Sequence, residues 1–208
     1  MITLDIFADP TCPFCYLGKT YLDRALETRP NHPFAIEWHP FQINPSLPPE
    51  GMDRGAWLIA RFGPAEAKRV DVPIIEAAQA TGVAMNLPAI TRMPNTRDAQ
   101  RLLHWAGIEG RQSPVMAALM RAYWREGRDI GAPEVLADIA TQAGLDGSLI
   151  ARLLDSEADA DTVASREAHA RERGITAVPS FIIANQHVVT GAQSTEFWQN
   201  VIDEISAA

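Results

Sequence analysis

The stretch Asp9-Pro-Thr-Cys12-Pro-Phe-Cys15-Tyr-Leu-Gly-Lys19 contains both cysteines of the 208-residue chain. It follows an apolar run, residues 2–8, that is typical of a strand, and it leads into residues 17–26, whose apolar positions have helical spacing. Two cysteines separated by two residues at a strand-to-helix junction are typical of a thiol–disulfide redox site. The stretch therefore predicts both a β-α junction and a candidate redox centre.

The start of the predicted helix gives the two cysteines different roles. The thiolate is the reactive form of cysteine, and the free N–H groups at a helix N-terminus stabilise that charge. Pro13 suits the first helical turn because it has no N–H to leave unpaired. We expect Cys12 to be the exposed thiol that attacks a substrate, and Cys15, one turn further, to attack the resulting mixed disulfide.

Three other interpretations of the cysteine pair stay open at this point. A zinc site needs more ligands, and the five histidines are scattered without metal-ligand spacing, so no metal is expected. A structural disulfide across a two-residue loop would constrain the unfolded chain very little. The pair could also be two small core residues that lie close together. The strand before the pair and the proline within it favour redox chemistry.

Composition limits the partners of the chain. Lysine and arginine number 18 against 26 acidic residues, and the net charge of −8 disfavours nucleic acid or an anionic membrane as the main partner. No apolar run approaches the ~20 residues that cross a bilayer. The chain begins directly with the strand pattern and has no basic leader, so a cytoplasmic protein is expected. In that compartment a catalytic disulfide is more common than a structural one.

The remaining sequence predicts an α/β fold with a helical middle. A β-α-β unit comes first, and its two strands should be parallel with a right-handed crossover. A proline-rich linker and a long block almost free of strand signals follow, and a hairpin and a final helix close the chain. The predicted ranges are helix 13–28, strand 34–41, linker 44–51, helical block 52–173, hairpin 179–190 and helix 196–205.

Several stretches resemble the DsbA-like oxidoreductases of the thioredoxin superfamily, and within them the FrnE-type branch. The residues that carry the resemblance are Cys12-Pro-Phe-Cys15-Tyr16, Phe41-Gln-Ile-Asn-Pro45, Asn95-Thr96, Tyr123-Trp-Arg-Glu-Gly-Arg-Asp-Ile130, Ala177-Val-Pro-Ser-Phe-Ile and Val189-Thr-Gly-Ala-Gln193. The resemblance implies a thioredoxin fold interrupted by an all-helical insertion, with residues 1–45 and 174–208 forming the thioredoxin-like domain and residues 46–173 the insertion. It also implies thiol–disulfide exchange with protein or small-molecule thiols and disulfides.

The same resemblance implies the surroundings of the redox site. The Val178–Pro179 bond should be cis, and its loop should face Cys12, where the backbone of Val178 can pair with an extended substrate. Pro13 and Phe14 are expected to contact the substrate beside that loop. No cofactor is implied beyond the redox-active disulfide, although glutathione can serve as a co-substrate.

Two alternative functions stay open. Glutathione-dependent isomerases and kappa-type glutathione transferases share the architecture, but they commonly carry serine at the position of Cys12; in that reading Cys12 would position glutathione. A non-catalytic peptide-binding or chaperone module is the other. Gln100 stands where FrnE-type relatives commonly have histidine, which puts a general base at that position in doubt.

For several other polar and aromatic residues, the sequence predicts structural or minor roles. Asp9 is interpreted as a turn residue in preference to a proton relay for the thiols. His39 and His104 are interpreted as structural histidines, Trp105 and Trp124 as core or cleft wall, and Lys19 as a weak stabiliser of a thiolate.

Overall fold

The computed structural model describes residues 1–207, which form an α/β fold around a mixed sheet. The strands are β1 (Ile2–Ala8), β2 (Phe34–Pro40), β3 (Met52–Asp53), β4 (Arg92–Met93), β5 (Ser180–Ile183) and β6 (His187–Thr190). The helices are α1 (Pro13–Thr28), α2 (Arg54–Glu66), α3 (Val72–Thr81), α4 (Arg97–Ile108), α5 (Gln112–Trp124), α6 (Pro133–Gln142), α7 (Gly147–Leu154), α8 (Ala160–Glu172) and α9 (Thr195–Ala207).

The main sheet has the strand order β2-β1-β5-β6. β1 and β2 are parallel, as predicted, with Ile2 opposite Phe34 and Ala8 opposite Pro40. β5 is antiparallel to β1 and also to β6, so the hairpin completes the sheet from the far end of the chain. The centre of the sheet thus brings the first strand beside residues that lie about 180 positions later.

The long middle of the chain is helical, with one small addition. β3 and β4 pair antiparallel over two residues each, in a separate sheet that the sequence did not predict. The main sheet takes its strands from residues 2–40 and 180–190. Among residues 1–207, no helix combines the length and apolar character needed to span a bilayer. The division into domains at residues 45 and 173 stays a prediction.

Alternate side chains of β1 serve different sides of the sheet. Leu4, Ile6 and Ala8 are buried in the largest core cluster, which also contains both cysteines. Phe7 points the other way, into a smaller cluster with Ala170 of α8. The strand is therefore covered on both faces, which accounts for its almost continuous apolar sequence.

Local sequence signals place most element boundaries well. β1 and α1 have the predicted bounds, and Ser194 caps α9 by accepting a hydrogen bond from Phe197 N at 3.1 Å. α5 begins at Gln112, one residue before a Ser113-Pro114 step that is typical of a helix start. The reason is tertiary: the Gln112 side chain exchanges hydrogen bonds with the backbone of Trp38 on β2, at 3.0 Å each.

Candidate active site

The cysteine pair lies where β1 passes into α1. The carbonyl of Asp9 accepts a hydrogen bond from Cys12 N at 3.0 Å, which reverses the chain after the strand. Cys12 is the extended N-cap residue, Pro13 occupies the first helical position, and Tyr16 N donates to the Cys12 carbonyl at 3.1 Å. This backbone arrangement matches the predicted helix start and places Cys12 at the N-terminus of α1, where the first N–H groups have no partner within the helix.

Cys12 is not the exposed thiol that the sequence predicted. Its residue is 5% exposed, whereas its neighbour Phe14 is 47% exposed. Trp124 of α5 contributes to the cover, since it lines the same cavity and stacks parallel to Tyr16 at 6.2 Å. The prediction failed because the cover comes from the insertion, about 110 residues away in sequence. Access to Cys12 is through a cavity instead of from an open surface.

The loop before β5 contacts Cys12. The Cys12 thiol donates to the carbonyl of Val178 at 3.6 Å, and the Val178–Pro179 peptide bond is cis, as expected. Gly191 N anchors the loop by donating to the Pro179 carbonyl at 2.8 Å. A Cβ on Gly18 of α1 would lie 3.2 Å from Pro179 Cγ, so glycine at that position allows the helix and the loop to approach.

Cys15 lies behind Cys12 and is 1% exposed. Burial raises the pKa of the Cys15 thiol well above its ordinary value, and its hydrogen bond to Cys12 and the nearby charge of Cys12 raise it further. A backbone hydrogen bond from Asp9 opposes this effect. Both cysteines are free thiols in the structure. The inner thiol therefore keeps its proton until an acceptor or a sulfur electrophile is beside it.

Asp9 is a fully buried carboxyl group with four hydrogen-bond donors around it. Its Oδ1 accepts from Thr11 N at 2.8 Å and Thr11 Oγ1 at 2.7 Å, which is the turn that the sequence predicted. Its Oδ2 accepts from Ile43 N at 2.9 Å and from Thr96 Oγ1 at 3.1 Å. Burial raises the pKa of Asp9, and the four donors oppose that effect. Asp9 thus joins the redox turn to the insertion.

A cavity of about 440 Å³ opens in front of the cysteines, and we call it the cysteine cavity. The residues that define it here are Cys12, Phe14, Trp57, Phe62 and Trp124. Pro13 also lines it, so the two expected contact residues beside Cys12 both lie there, whereas Val178, whose carbonyl contacts the Cys12 thiol, is not among the lining residues. Trp57 and Phe62 were not among the predicted site residues. Their signal was two large aromatics on α2, of which Trp57 is partly exposed and Phe62 is exposed.

The two histidines of interest lie in a separate polar group, the Arg166 cluster, defined by Asp5, Glu37, His39, His104 and Arg166. His39 Nε2 is 2.8 Å from Asp5 Oδ1, and Arg166 approaches the Nδ1 atoms of His39 and His104 at 3.2 and 3.4 Å. Each histidine therefore has polar partners, in keeping with the structural role predicted. Both line cavities other than the cysteine cavity.

Within residues 1–207, the group of side chains spaced closely enough to hold a metal is Asp5, Glu37 and His39. Arg166 Nη2 lies 2.9 Å from Glu37 Oε1 and 3.2 Å from His39 Nδ1. The guanidinium supplies the positive charge that a cation would bring, so these residues fit an internal ion-pair cluster better than a metal site. The Arg166 cluster is built from β1, β2, α4 and α8, and none of its residues lines the cysteine cavity.

Three further residues have structural contacts. Lys19 forms an ion pair with Asp23 at 2.5 Å, so its charge is taken up within α1 and the predicted help to a thiolate is not seen. Gln100 Nε2 donates to the carbonyls of Ala8 and Phe41 at 3.1 and 3.3 Å, joining the ends of β1 and β2. Trp105, predicted to be either a core residue or part of a cleft wall, is buried in the core.

A sheet with a cysteine-bearing helix start and a facing proline loop defines the thioredoxin class of proteins, here with a helical insertion. The model of the DSBA-like thioredoxin domain matches residues 3–203. The chain therefore belongs to the DsbA-like thioredoxin domain family, a family of thiol–disulfide oxidoreductases. This confirms the fold class and the family predicted from the sequence.

Known relatives cover nearly the whole chain. The uncharacterised protein YwbO of Bacillus subtilis is 27% identical over 204 residues, covering 98% of this chain and 96% of YwbO. The crystal structure of the probable DsbA oxidoreductase SCO1869 from Streptomyces coelicolor is 26% identical with a TM-score of 0.85, and the match covers 100% of this chain and 91% of that one.

More distant structures share the fold. A 2-hydroxychromene-2-carboxylate isomerase is 18% identical with a TM-score of 0.73, covering 98% of this chain and 96% of its own. The cytosolic disulfide reductase DsbM from Pseudomonas aeruginosa, solved with glutathione, is 19% identical with a TM-score of 0.71, covering 99% and 100%. At these identities the likeness concerns the fold alone, and it spans proteins with different named activities.

Proposed function

We propose that the protein is a thiol–disulfide oxidoreductase in which Cys12 attacks the substrate and Cys15 resolves the mixed disulfide. One observation carries the proposal: the Cys12 sulfur borders the cysteine cavity and faces Val178, while Cys15 lies buried behind it. A substrate in the cavity can meet Cys12 but is separated from Cys15 by the first turn of α1. The order of attack follows from this difference in access.

The exchange balances as two displacements. The Cys12 thiolate attacks one sulfur of a disulfide R–S–S–R, so that a Cys12–S–R bond forms and the other sulfur leaves as a thiolate that takes up a proton. Cys15 then loses its proton and attacks the Cys12 sulfur. A Cys12–Cys15 disulfide forms and the second thiol leaves. The protein is oxidised by two electrons and the substrate is reduced to two thiols; the reverse direction oxidises a dithiol.

The burial of Cys15 has a consequence for this sequence of steps. Its raised pKa keeps it protonated while Cys12 reacts, so it does not compete for the substrate. Once Cys12 has become part of a mixed disulfide, it no longer carries the charge that helped to raise the Cys15 pKa. Deprotonation of Cys15 then becomes easier, and the second displacement follows the first.

Glutathione-dependent isomerisation or transfer is the alternative, since an isomerase and a reductase solved with glutathione share the fold. Cys12 would then hold the glutathione thiol instead of exchanging with it. Glutathione as a co-substrate is also compatible with the first proposal. A cytoplasmic location is part of the proposal, and the cytosolic reductase of the same fold supports it. A peptide-binding module would require neither cysteine.

The test is a single-turnover reaction of the reduced protein with a disulfide, followed by mass spectrometry. Wild type should release two thiols for each protein molecule and gain the Cys12–Cys15 disulfide. Cys15→Ser should accumulate a covalent adduct on Cys12, whereas Cys12→Ser should react more slowly by at least about a hundredfold. Equal trapping through Cys15 in the Cys12→Ser variant would overturn the assigned roles. Turnover of an electrophile only with added glutathione would favour the alternative.

A further inference from the structure

The walls of the cysteine cavity are more apolar than exchange with a polar thiol requires. α2 contributes Trp57 and Phe62, whose rings meet edge to face at 5.9 Å, and α5 contributes Trp124. Phe14 closes the side next to the cysteines. Its ring and that of Phe62 remain substantially exposed, at 47% and 40%. Large exposed aromatics around a cavity indicate a surface that binds an apolar group.

Several polar side chains of the wall are already paired inside the protein. Trp124 Nε1 donates to the Pro10 carbonyl at 2.9 Å, and Tyr123 Oη donates to the Arg92 carbonyl at 3.4 Å. Arg54 and Asp71, which also line the cavity, bind each other at 2.7 Å. Their charges cancel at the wall. The cavity therefore offers little to a ligand that carries several separated charges.

Glutathione is such a ligand, with two carboxylates and an ammonium group. Binding it in this cavity would remove water from those charges without supplying new partners for them, which costs affinity. An apolar group of moderate size has the opposite balance, because its transfer from water to the aromatic wall is favourable. The volume of about 440 Å³ is within the range of small-molecule sites.

We infer that the cysteine cavity selects small organic disulfides or thiols with an aromatic or other bulky apolar group, which lies against Trp57 and Phe62 while its sulfur meets Cys12. This inference rests on the proposed exchange function and names its substrate class. The sulfur chemistry is unchanged: Cys12 forms a bond to one substrate sulfur, the substrate S–S bond breaks, and Cys15 supplies the second electron pair. The insertion thus determines specificity and the α1 turn provides the chemistry.

The test compares two uncharged disulfides of primary alkyl thiols, bis(2-phenylethyl) disulfide and bis(2-hydroxyethyl) disulfide. The reduced protein reacts with each in a single turnover, and each rate is divided by the rate of the same disulfide with dithiothreitol, which removes differences in intrinsic reactivity. We expect the normalised rate to be at least about tenfold higher for the phenylethyl compound, the effect of burying roughly 55 Å² of apolar surface. A ratio near one would overturn the inference.

Variants of α2 test whether the cavity wall is responsible. Trp57→Ala and Phe62→Ala should each lower the ratio by at least about threefold, and alanine is compatible with the helix at both positions. Ile59→Ala is the matched control, because Ile59 is exposed on the same helix and is not part of the cavity wall. A ratio unchanged in both aromatic variants, or equally lowered in the control, would contradict the assignment.

Two further arms separate this inference from the function on which it rests. Cys12→Ser should abolish both reactions; if it does so while the wild-type ratio is near one, exchange stands and only the substrate class is wrong. If Cys12→Ser leaves both rates intact, the attacking role of Cys12 fails; if wild type reacts with neither disulfide, the exchange function itself fails. A short peptide disulfide with aromatic residues beside the cysteine is the third substrate. A higher normalised rate for the peptide than for the phenylethyl compound would show that the cavity serves peptides instead.

Discussion

Side chains that leave β1 on one face share a core with the cysteines, whereas those on the other face meet the Arg166 cluster. The cysteine cavity has largely apolar walls and is bordered by Cys12, with the Cys15 thiol buried behind it. The Arg166 cluster contains two histidines and an arginine. Its polar atoms pair with one another: His39 hydrogen-bonds to Asp5, and Arg166 donates to Glu37. Polar side chains are thus concentrated in the Arg166 cluster, which is structural. The cysteine cavity, where the chemistry occurs, is lined mainly by aromatic side chains from helices distant in sequence.

This comparison shows where polar residues are a poor guide to function. Histidines near a carboxylate are common in catalytic sites, but the sequence favoured structural roles for His39 and His104. Here they hold α8 against β2 and α4, and α8 leads into the loop that carries Val178. Their contribution to the site is positional. Mutations in the Arg166 cluster should therefore change the stability of the protein, whereas mutations in the cysteine cavity should change the exchange rate.

Removing the Asp9 carboxylate should have the largest effect on stability. Asp9→Ala leaves the buried Thr11 N and Ile43 N without their acceptor, so the free energy of unfolding should fall by about 3 kcal/mol or more. Urea denaturation measures this. Asp203→Ala is the control, because it removes an exposed carboxylate that is paired with Arg29. An equally small loss for both variants would show that Asp9 does not hold the redox turn.

Breaking the Arg166 cluster should change stability and spare the chemistry. Arg166→Met keeps much of the aliphatic stem but removes the donors to Glu37 and His39, which should cost about 1 kcal/mol of unfolding free energy. The single-turnover exchange rate should stay within about twofold of wild type, because distant sites act nearly independently. A tenfold slower exchange in this variant would show that the two regions are coupled through α8.

Sequence alone predicted the elements around the redox turn because their signals are local. Pro13 and the apolar spacing after it determine where α1 begins, and the alternation of residues 2–8 determines β1. The cis bond at Pro179 and the position of its loop came from the family resemblance. The cover over Cys12 could not be predicted in the same way, because Trp57 and Trp124 reach it only through the packing of the insertion. The predicted role of Lys19 was wrong for a local reason, because Lys19 forms an ion pair with Asp23 one turn later.

A smaller effect is expected where α1 touches the Pro179 loop. Gly18→Ala would bring a Cβ within 3.2 Å of Pro179 Cγ and 3.3 Å of Ala192 Cα, so the loop must shift by a few tenths of an ångström away from Cys12. Exchange should slow by about threefold, because the loop positions the substrate backbone. Gly107→Ala in α4 is the control, since its Cβ would make an equally close contact, 3.0 Å to Gln112 Nε2, away from the Pro179 loop. Equal rates for both variants would remove the loop from the mechanism.

The smallest effect is a pH dependence that separates burial from hydrogen bonding at Asp9. Burial raises the pKa of Asp9 in the folded protein above its ordinary value of 3.8, so the folded state holds this proton at pH values where the unfolded chain has released it. Unfolding then releases a proton, and a rise in pH favours the unfolded chain. The stability of wild type relative to Asp9→Asn should therefore fall as the pH rises from 3.8 to the folded pKa, and stay level above it.

Asp138→Asn provides a control of opposite sign. Arg128 and Gln142 donate to this exposed carboxylate and hold its pKa below 3.8, so its contribution to stability is present above 3.8 and is lost as the pH falls. Urea denaturation of wild type and both variants between pH 3 and pH 7 measures the two differences. If the Asp9 difference rises with pH, as for Asp138, the four donors outweigh burial. Asp9 would then be an ionised anchor throughout this range, and its charge would oppose ionisation of Cys15 at every pH used for exchange.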